Sequence, residues 1–289
     1  MQGEEKLDKD FWLQTEGRSD LHLPPLHFAH GNSFPTGSYR VFLNHLRSNY
    51  QIHALEMLGH NPAHPVTDCW PELCREMIAR IETIPDKPVI LVGHSLGGIL
   101  SLMLARARPD LVRCVLLLDS PVVTGWRAKL LRVAKLTGLD LFISPARSSR
   151  KRRKSWPDTE SAFQHFASKA MFASWPEAVL RDYINYGTQP YTNGVTLRFN
   201  REIETAIYRA LPHNEAQFTA QPFSMPIGFL CGTTSVECRQ AGIKNTQVLV
   251  GENFEWIPGG HLYPMESPEA TAVHTHAMLQ KMLASVSKK

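Results

Sequence analysis

The chain has 289 residues, 43% of them hydrophobic, and its 31 basic and 27 acidic side chains leave a formal charge of +4. That composition suits a soluble globular protein built as one large domain or as a domain carrying an insertion. The charge is too mild to imply nucleic acid as a partner, and no apolar run approaches the roughly 18 residues of a membrane span.

The opening stretch, MQGEEKLDKD, is polar and acidic, unlike a secretory signal. Five cysteines stand at 69, 74, 114, 231 and 238. An odd number without an export signal points to reduced thiols and a cytoplasmic location. None pairs with histidines at zinc-site spacing, so no metal site is expected from them.

In chain order, PLHFA (25–29) reads as a short strand ending at His30-Gly31. GSYRVFLNHLRS (37–48) puts Tyr39, Phe42, Leu43 and Leu46 on one helical face. YQIHALEM (50–57) reads as a strand, and PELCREMIARIETI (71–84) as a helix with Pro71 near its start. PVILV (88–92) is a fully apolar strand, SLGGILSLMLARA (95–107) a helix and RCVLLLD (113–119) another strand. Short apolar strands separated by helices predict an α/β fold with a mostly parallel sheet and helices on both faces.

The alternation then lapses. Residues 122–222 show amphipathic helical segments and polar loops but no clear buried strand. It resumes with MPIGFLCG (225–232), a helix-like SVECRQAG (235–242), a strand at FEWI (254–257) and a final helix over 268–286. The pattern predicts a core of 1–121 and 223–289 interrupted by a mainly helical cap, 122–222.

Within LVGHSLGGIL (91–100), Ser95 sits in a G-x-S-x-G pattern between strand and helix. That is the pattern of a nucleophile elbow. The turn is too tight for side chains two residues either side of the serine. It lifts the hydroxyl above a helix N-terminus, which favours developing negative charge. An oxyanion needs backbone donors. The N–H of Leu96 follows the serine directly, and FAHGNSF (28–34) offers that of Asn32, with Gly31 letting the chain turn. Among thirteen histidines, His261 in IPGGHLYPMESP (257–268) follows two glycines that can aim its ring at Ser95. His94 reads as pointing away from the reaction. His60 and His64 flank Pro62 and do not suggest a metal pair, and His274 and His276 read as surface residues of the last helix.

G-H-S-L-G-G, the upstream H-G-N and the downstream G-G-H together resemble the α/β-hydrolase superfamily over roughly 24–121 and 223–289. The resemblance implies hydrolysis through an acyl-serine intermediate without a cofactor. It also implies a triad in the chain order nucleophile, acid, base. Members of this family commonly carry the acid three residues after a glycine that ends the penultimate strand, and here that place is Ser235. Two carboxylates remain. Asp119 ends the strand after the nucleophile's helix, a position some members use, including a group of haloalkane dehalogenases. Glu237 lies two residues past the usual place. Asp119 is the first choice. Dehalogenase chemistry itself would need a carboxylate nucleophile, and this chain has Ser95.

The segment 122–222 holds Trp126, Phe142, Trp156, Phe163, Phe166, Met171, Phe172, Trp175, Tyr183 and Tyr186. Most should pack its own helices, and some should line an apolar cleft. RSSRKRRKSW (147–156) carries six basic side chains. It reads as a solvated face or as a rim attracting an acidic substrate or anionic surface. The expected activity is therefore a serine hydrolase acting on a small apolar acyl substrate, a carboxylic ester first. Thioesters, lactones and carbon–carbon bonds in diketones are within reach of the same parts. A non-catalytic binding protein on this fold is the alternative that Ser235 keeps open.

Overall fold

The computed structural model describes residues 23–139 and 146–286. The polar N-terminal stretch MQGEEKLDKD and Phe142 lie outside these residues. The larger of two sheets contains β1 (Pro25–Ala29), β2 (Gln51–Ala54), β3 (Val89–His94), β4 (Val112–Leu118), β8 (Ile227–Gly232) and β9 (Phe254–Ile257). Its order is β2-β1-β3-β4-β8-β9, and every pairing is parallel.

Successive residues of a strand face opposite sides of the sheet, and here both sides are apolar. Ile90 and Val92 join Phe28, Cys114, Leu116, Leu118 and Leu230 on one side. Val89 and Leu91 join Val115, Leu117, Phe229 and Cys231 on the other. Helices cover each side. The first receives α1 (Arg40–Leu46) through Phe42, Leu43 and Leu46, and the final helix, Pro268–Val286, through Met278, Leu279 and Met282. The second receives α2 (Pro71–Glu82) through Leu73, Met77 and Ile81, and α3 (Leu96–Ala107) through Leu100 and Leu104. Full burial of each such side chain is worth about 1.5–3 kcal/mol, so this two-sided layer dominates the core.

Several elements begin or end differently from their sequence patterns. The strand expected over 50–57 stops at Ala54, and the helix expected from 37 opens as a 3₁₀ turn, Thr36–Tyr39. The helix Lys244–Val250 has no counterpart among the sequence patterns. Between β4 and β8 run the helices Gly125–Thr137, Ala146–Lys151, Thr159–Ala167, Glu177–Gly187, Arg201–Arg209 and Ala216–Thr219. The same segment forms a small antiparallel sheet from β5 (Ser155–Trp156), β6 (Thr188–Tyr191) and β7 (Gly194–Leu197), in the order β5-β7-β6. The sequence showed no strand there because these pieces are short and each buries a single residue, so no apolar run marks them. Trp156, Phe166, Phe172, Trp175 and Tyr183 pack with Phe34 into the same core as one face of the large sheet. Trp126, in contrast, is 64% exposed.

Candidate active site

Strand β3 ends at His94 and α3 begins at Leu96, which leaves Ser95 alone at the turn with φ 52° and ψ −116°. Close packing compels the flanking glycines. A Cβ on Gly93 would lie 2.4 Å from the backbone of Gly97, and one on Gly97 would lie 2.0 Å from the carbonyl oxygen of Ala29 in β1. The turn is tied to its neighbour: the Ser95 N–H donates to the Leu118 carbonyl at 3.1 Å, and the Ser120 hydroxyl donates to the Ser95 carbonyl at 2.9 Å.

The Ser95 hydroxyl lies 3.1 Å from Nε2 of His261, and Nδ1 of His261 lies 2.7 Å from Oδ2 of Asp119. Three residues distant in the chain thus form one hydrogen-bonded line. Asp119 is fully buried just past the end of β4, with φ 45°. Its carboxylate also accepts from the Gly232 N–H at 2.9 Å, the Ser235 hydroxyl at 2.6 Å and the Cys238 thiol at 3.2 Å. Glu237 is not in the line. Its carboxylate is 49% exposed and 3.9 Å from His261 Nδ1. Of the two carboxylates weighed from the sequence, the fold brings Asp119 to the imidazole.

Burial pushes the Asp119 pKa up, but the hydrogen bond and charge of His261, with Ser235 and Gly232 behind them, outweigh it and hold the group below the usual aspartate value. Burial pulls His261 down, but Asp119 outweighs it and lifts the imidazole above the ordinary histidine value. The pair is arranged to favour an imidazolium next to a carboxylate.

His94 has a role the sequence did not reveal. Its ring lies against that of His261, with centroids 4.9 Å apart. Its Nε2–H donates to the His261 carbonyl at 2.9 Å, and its Nδ1 accepts from the Tyr39 hydroxyl at 2.7 Å. Tyr39 in turn accepts the Gly31 N–H at 3.0 Å. One chain of donors therefore joins the loop after β1 to the loop carrying His261. Burial, then the neighbouring His261, brings the His94 pKa down to about 3, so its ring stays neutral. A histidine inside a G-x-S-x-G pattern is a possible signal for such a contact, but its partners are remote in sequence.

Asn32 is buried, and its side-chain amide donates to the Glu204 carbonyl at 3.1 Å. Ser33 donates to the Glu204 carboxylate at 2.6 Å. Leu96 is the first residue of α3, where backbone N–H groups have no partner within the helix. The other histidines weighed from the sequence stand elsewhere. His60 accepts from the Asn200 N–H, His64 lies near Glu72, His274 meets Glu255 and His276 meets the Tyr50 hydroxyl.

A cavity of about 890 Å³ opens on Ser95 and His261. Gly31, Asn32 and Phe34 line one part, and Phe166, Phe172 and Tyr183 another. Among the described residues, three groups bring histidine, cysteine or carboxylate atoms within metal-ligand reach of one another. Two of them share Asp119 with the hydrogen-bonded line. In the third, Asp68, Cys69 and His213, the Lys135 ammonium already bonds Asp68 and lies 3.4 Å from His213. A cation thus occupies the place a metal would take.

The Alpha/beta hydrolase family model matches residues 28–274. The chain is similar to lipase LipV of Mycobacterium tuberculosis, 33% identical over 122 residues, which span 41% of this chain and 46% of that protein. The chain thus aligns with less than half the length of that curated relative. Among solved structures it is similar to E-2-(acetamidomethylene)succinate hydrolase, with a TM-score of 0.73 at 21% identity, covering 89% of this chain and 91% of that one. It is also similar to the thioesterase domain from the curacin biosynthetic pathway, with a TM-score of 0.66 at 20% identity and the same coverages, 89% and 91%. At such identities the likeness is one of fold. No helix among the described residues is long and apolar enough to cross a membrane.

Proposed function

The chain belongs to the alpha/beta hydrolase family, and from that premise we propose that it is a serine hydrolase cleaving carboxylic esters or related acyl compounds through an acyl-enzyme. The reading rests on one observation above the others: the unbroken line from the Ser95 hydroxyl through His261 to the buried Asp119. The Ser95 oxygen attacks the substrate carbonyl carbon, and His261 Nε2 takes the hydroxyl proton. The carbonyl electron pair moves onto oxygen, where the N–H groups of Asn32 and Leu96 receive it. The intermediate then expels the leaving group, which takes the proton from His261. Water next attacks the acyl-serine and gives one proton to the same nitrogen, which passes it to the Ser95 oxygen as the carboxylic acid leaves. Asp119 stabilises the imidazolium and fixes its tautomer.

The segment 122–222 acts in this reading as a cap over Ser95, a reading supported by Phe166, Phe172 and Tyr183, which line the same cavity as Ser95 and His261. Its aromatic lining favours an apolar acyl group. Five free thiols fit a reducing, cytoplasmic compartment.

The test is labelling with a fluorophosphonate probe, which reacts only with an activated serine. Wild-type protein should be labelled on the peptide containing Ser95, and Ser95→Ala should not be labelled. The same variant should lose turnover on the order of 10⁶-fold in kcat. A wild-type protein that resists the probe would favour a fold kept for binding without turnover.

A further inference from the structure

Five basic side chains stand on the wall of the cavity that holds Ser95: Lys151, Arg152, Arg153, His165 and Lys169. They are not equivalent. Arg152 is committed to the protein. It pairs with Glu204 at 3.0 Å, donates to the Tyr183 hydroxyl and lies against the Phe166 ring. Arg153 stacks near Trp156 and donates to the Ser155 carbonyl, contacts that place its guanidinium without cancelling its charge. Among the described residues, Lys151, Arg153 and Lys169 have no carboxylate partner.

The cavity's carboxylates stand elsewhere or are already paired. Glu204 answers Arg152, Glu237 lies beside His261, and Glu266 accepts the Gly260 N–H. One wall is therefore positive and uncompensated, while the aromatic side chains Phe166 and Phe172 lie on the same lining. The neighbouring imidazole registers that field. His165 has its pKa lowered by burial and then by Lys169, Arg153 and Arg152.

We propose that this wall is an anion subsite, so that the natural substrate is an acyl ester or thioester carrying a carboxylate or phosphate, which sits against Lys151, Arg153 and Lys169 while its carbonyl lies at Ser95. The inference rests on the reading of Ser95 as nucleophile and narrows it from apolar acyl compounds to amphipathic ones. The aromatic lining takes the carbon chain, and the basic wall selects the end that bears charge. Cations at a solvent-open rim act through a screened field, so the preference must weaken as salt is added.

Two matched substrate pairs separate the possible sources of the anion. 4-Nitrophenyl hydrogen adipate against 4-nitrophenyl hexanoate places a carboxylate on the acyl tail. Hexanoyl-coenzyme A against the N-acetylcysteamine thioester of hexanoate places phosphates on the leaving group. In at least one pair the charged member should have the higher kcat/KM by about tenfold, with the ratio shrinking several-fold between low and high salt. The triple variant Lys151→Glu, Arg153→Glu, Lys169→Glu should invert the ratio, and Lys169→Gln alone should reduce it. The ratio rather than the absolute rate is read, so a general loss of folded protein does not mimic the result. Ratios near one in both pairs, or a ratio the triple variant leaves unchanged, would overturn the anion subsite and leave ester hydrolysis standing. Failure to turn over any of the four compounds, together with failure of fluorophosphonate labelling, would overturn the underlying reading instead.

Discussion

Ser235 donates its hydroxyl to Asp119 at 2.6 Å. It occupies the place after β8 where this family commonly carries the acid, and here it donates to the carboxylate of Asp119 just past the end of β4. The same hydroxyl accepts the Cys238 N–H at 3.1 Å and caps the helix Val236–Ala241. One small side chain thus links the local turn to the buried charge.

The choice of acid is the first thing to measure. Asp119→Asn should lower kcat by about 10⁴-fold, because an amide stabilises the wrong imidazole tautomer. Glu237→Gln should cost far less, since its carboxylate is half-exposed and 3.9 Å from His261. Steady-state kinetics on both folded variants decide it, and the reverse ranking would assign the role to Glu237.

Ser235→Ala should destabilise the protein by about 1–3 kcal/mol, the cost of leaving a buried acceptor short of a donor. Ser235→Asp alone should be worse, with two carboxylates competing for one site. Combined with Asp119→Asn, it should recover part of the lost activity, because the acid then stands at the neighbouring position. Urea midpoints and kcat for the four proteins provide the check; a double variant no more active than Asp119→Asn alone would argue against it.

His94→Phe breaks the donor chain from Gly31 through Tyr39 to the His261 carbonyl. The imidazole of His261 would keep Asp119 but lose the support that sets its loop. The expected loss in kcat is on the order of 10²-fold, the typical cost of a small misplacement, with KM little changed. An effect confined to KM would place His94 in substrate contact instead.

The pH profile should show His261 as a base. Its pKa is raised above the ordinary value of 6.5 because Asp119 outweighs the effect of burial. The imidazole is protonated, and unable to accept the Ser95 proton, below that raised value. Activity should therefore rise with pH through a limb lying above 6.5, and Asp119→Asn should move the residual limb downward. A limb that stays in place in that variant would sever the coupling.

Glu215 offers a test of stability separate from catalysis. It is buried, accepts the Val123 N–H at 2.8 Å, and burial pushes its pKa up to about 8 from 4.5. Between those values the folded protein binds the proton and the unfolded chain does not. This contribution is thus full below pH 4.5 and is lost as pH rises through about 8. Glu215→Gln keeps an acceptor for Val123 and removes the titration, so its stability should fall less between pH 5 and 8.5. Equal slopes for the two proteins in denaturant titrations would show that Glu215 is ionised in the folded state.

Local pattern carried a large part of the fold. Residues 25–29, 254–257 and 268–286 match the bounds of the strands and the last helix: the first is buried along its whole length, the second is marked by its aromatic and β-branched residues, and the last by a long run without a glycine break. The small sheet β5-β7-β6 escaped because its strands bury too little to leave a pattern. The helix Lys244–Val250, too, follows a short glycine-punctuated stretch that has no strong period of its own.

The sequence by itself determined the parallel α/β core and the tight turn at Ser95, because burial on both faces acts along a single strand and the clash a side chain on Gly93 would make with Gly97 acts over a few residues. It also singled out His261 by the glycines before it. Only the tertiary structure decided between Asp119 and Glu237, turned His94 into a brace for His261, and put the basic side chains of 151–169 on the cavity of Ser95. Hydrogen bonds and charge fields act through space over a few ångströms, and the partners here stand up to 167 residues apart in the chain. That closeness arises from the order in which the strands are laid side by side, which no local stretch of sequence spells out.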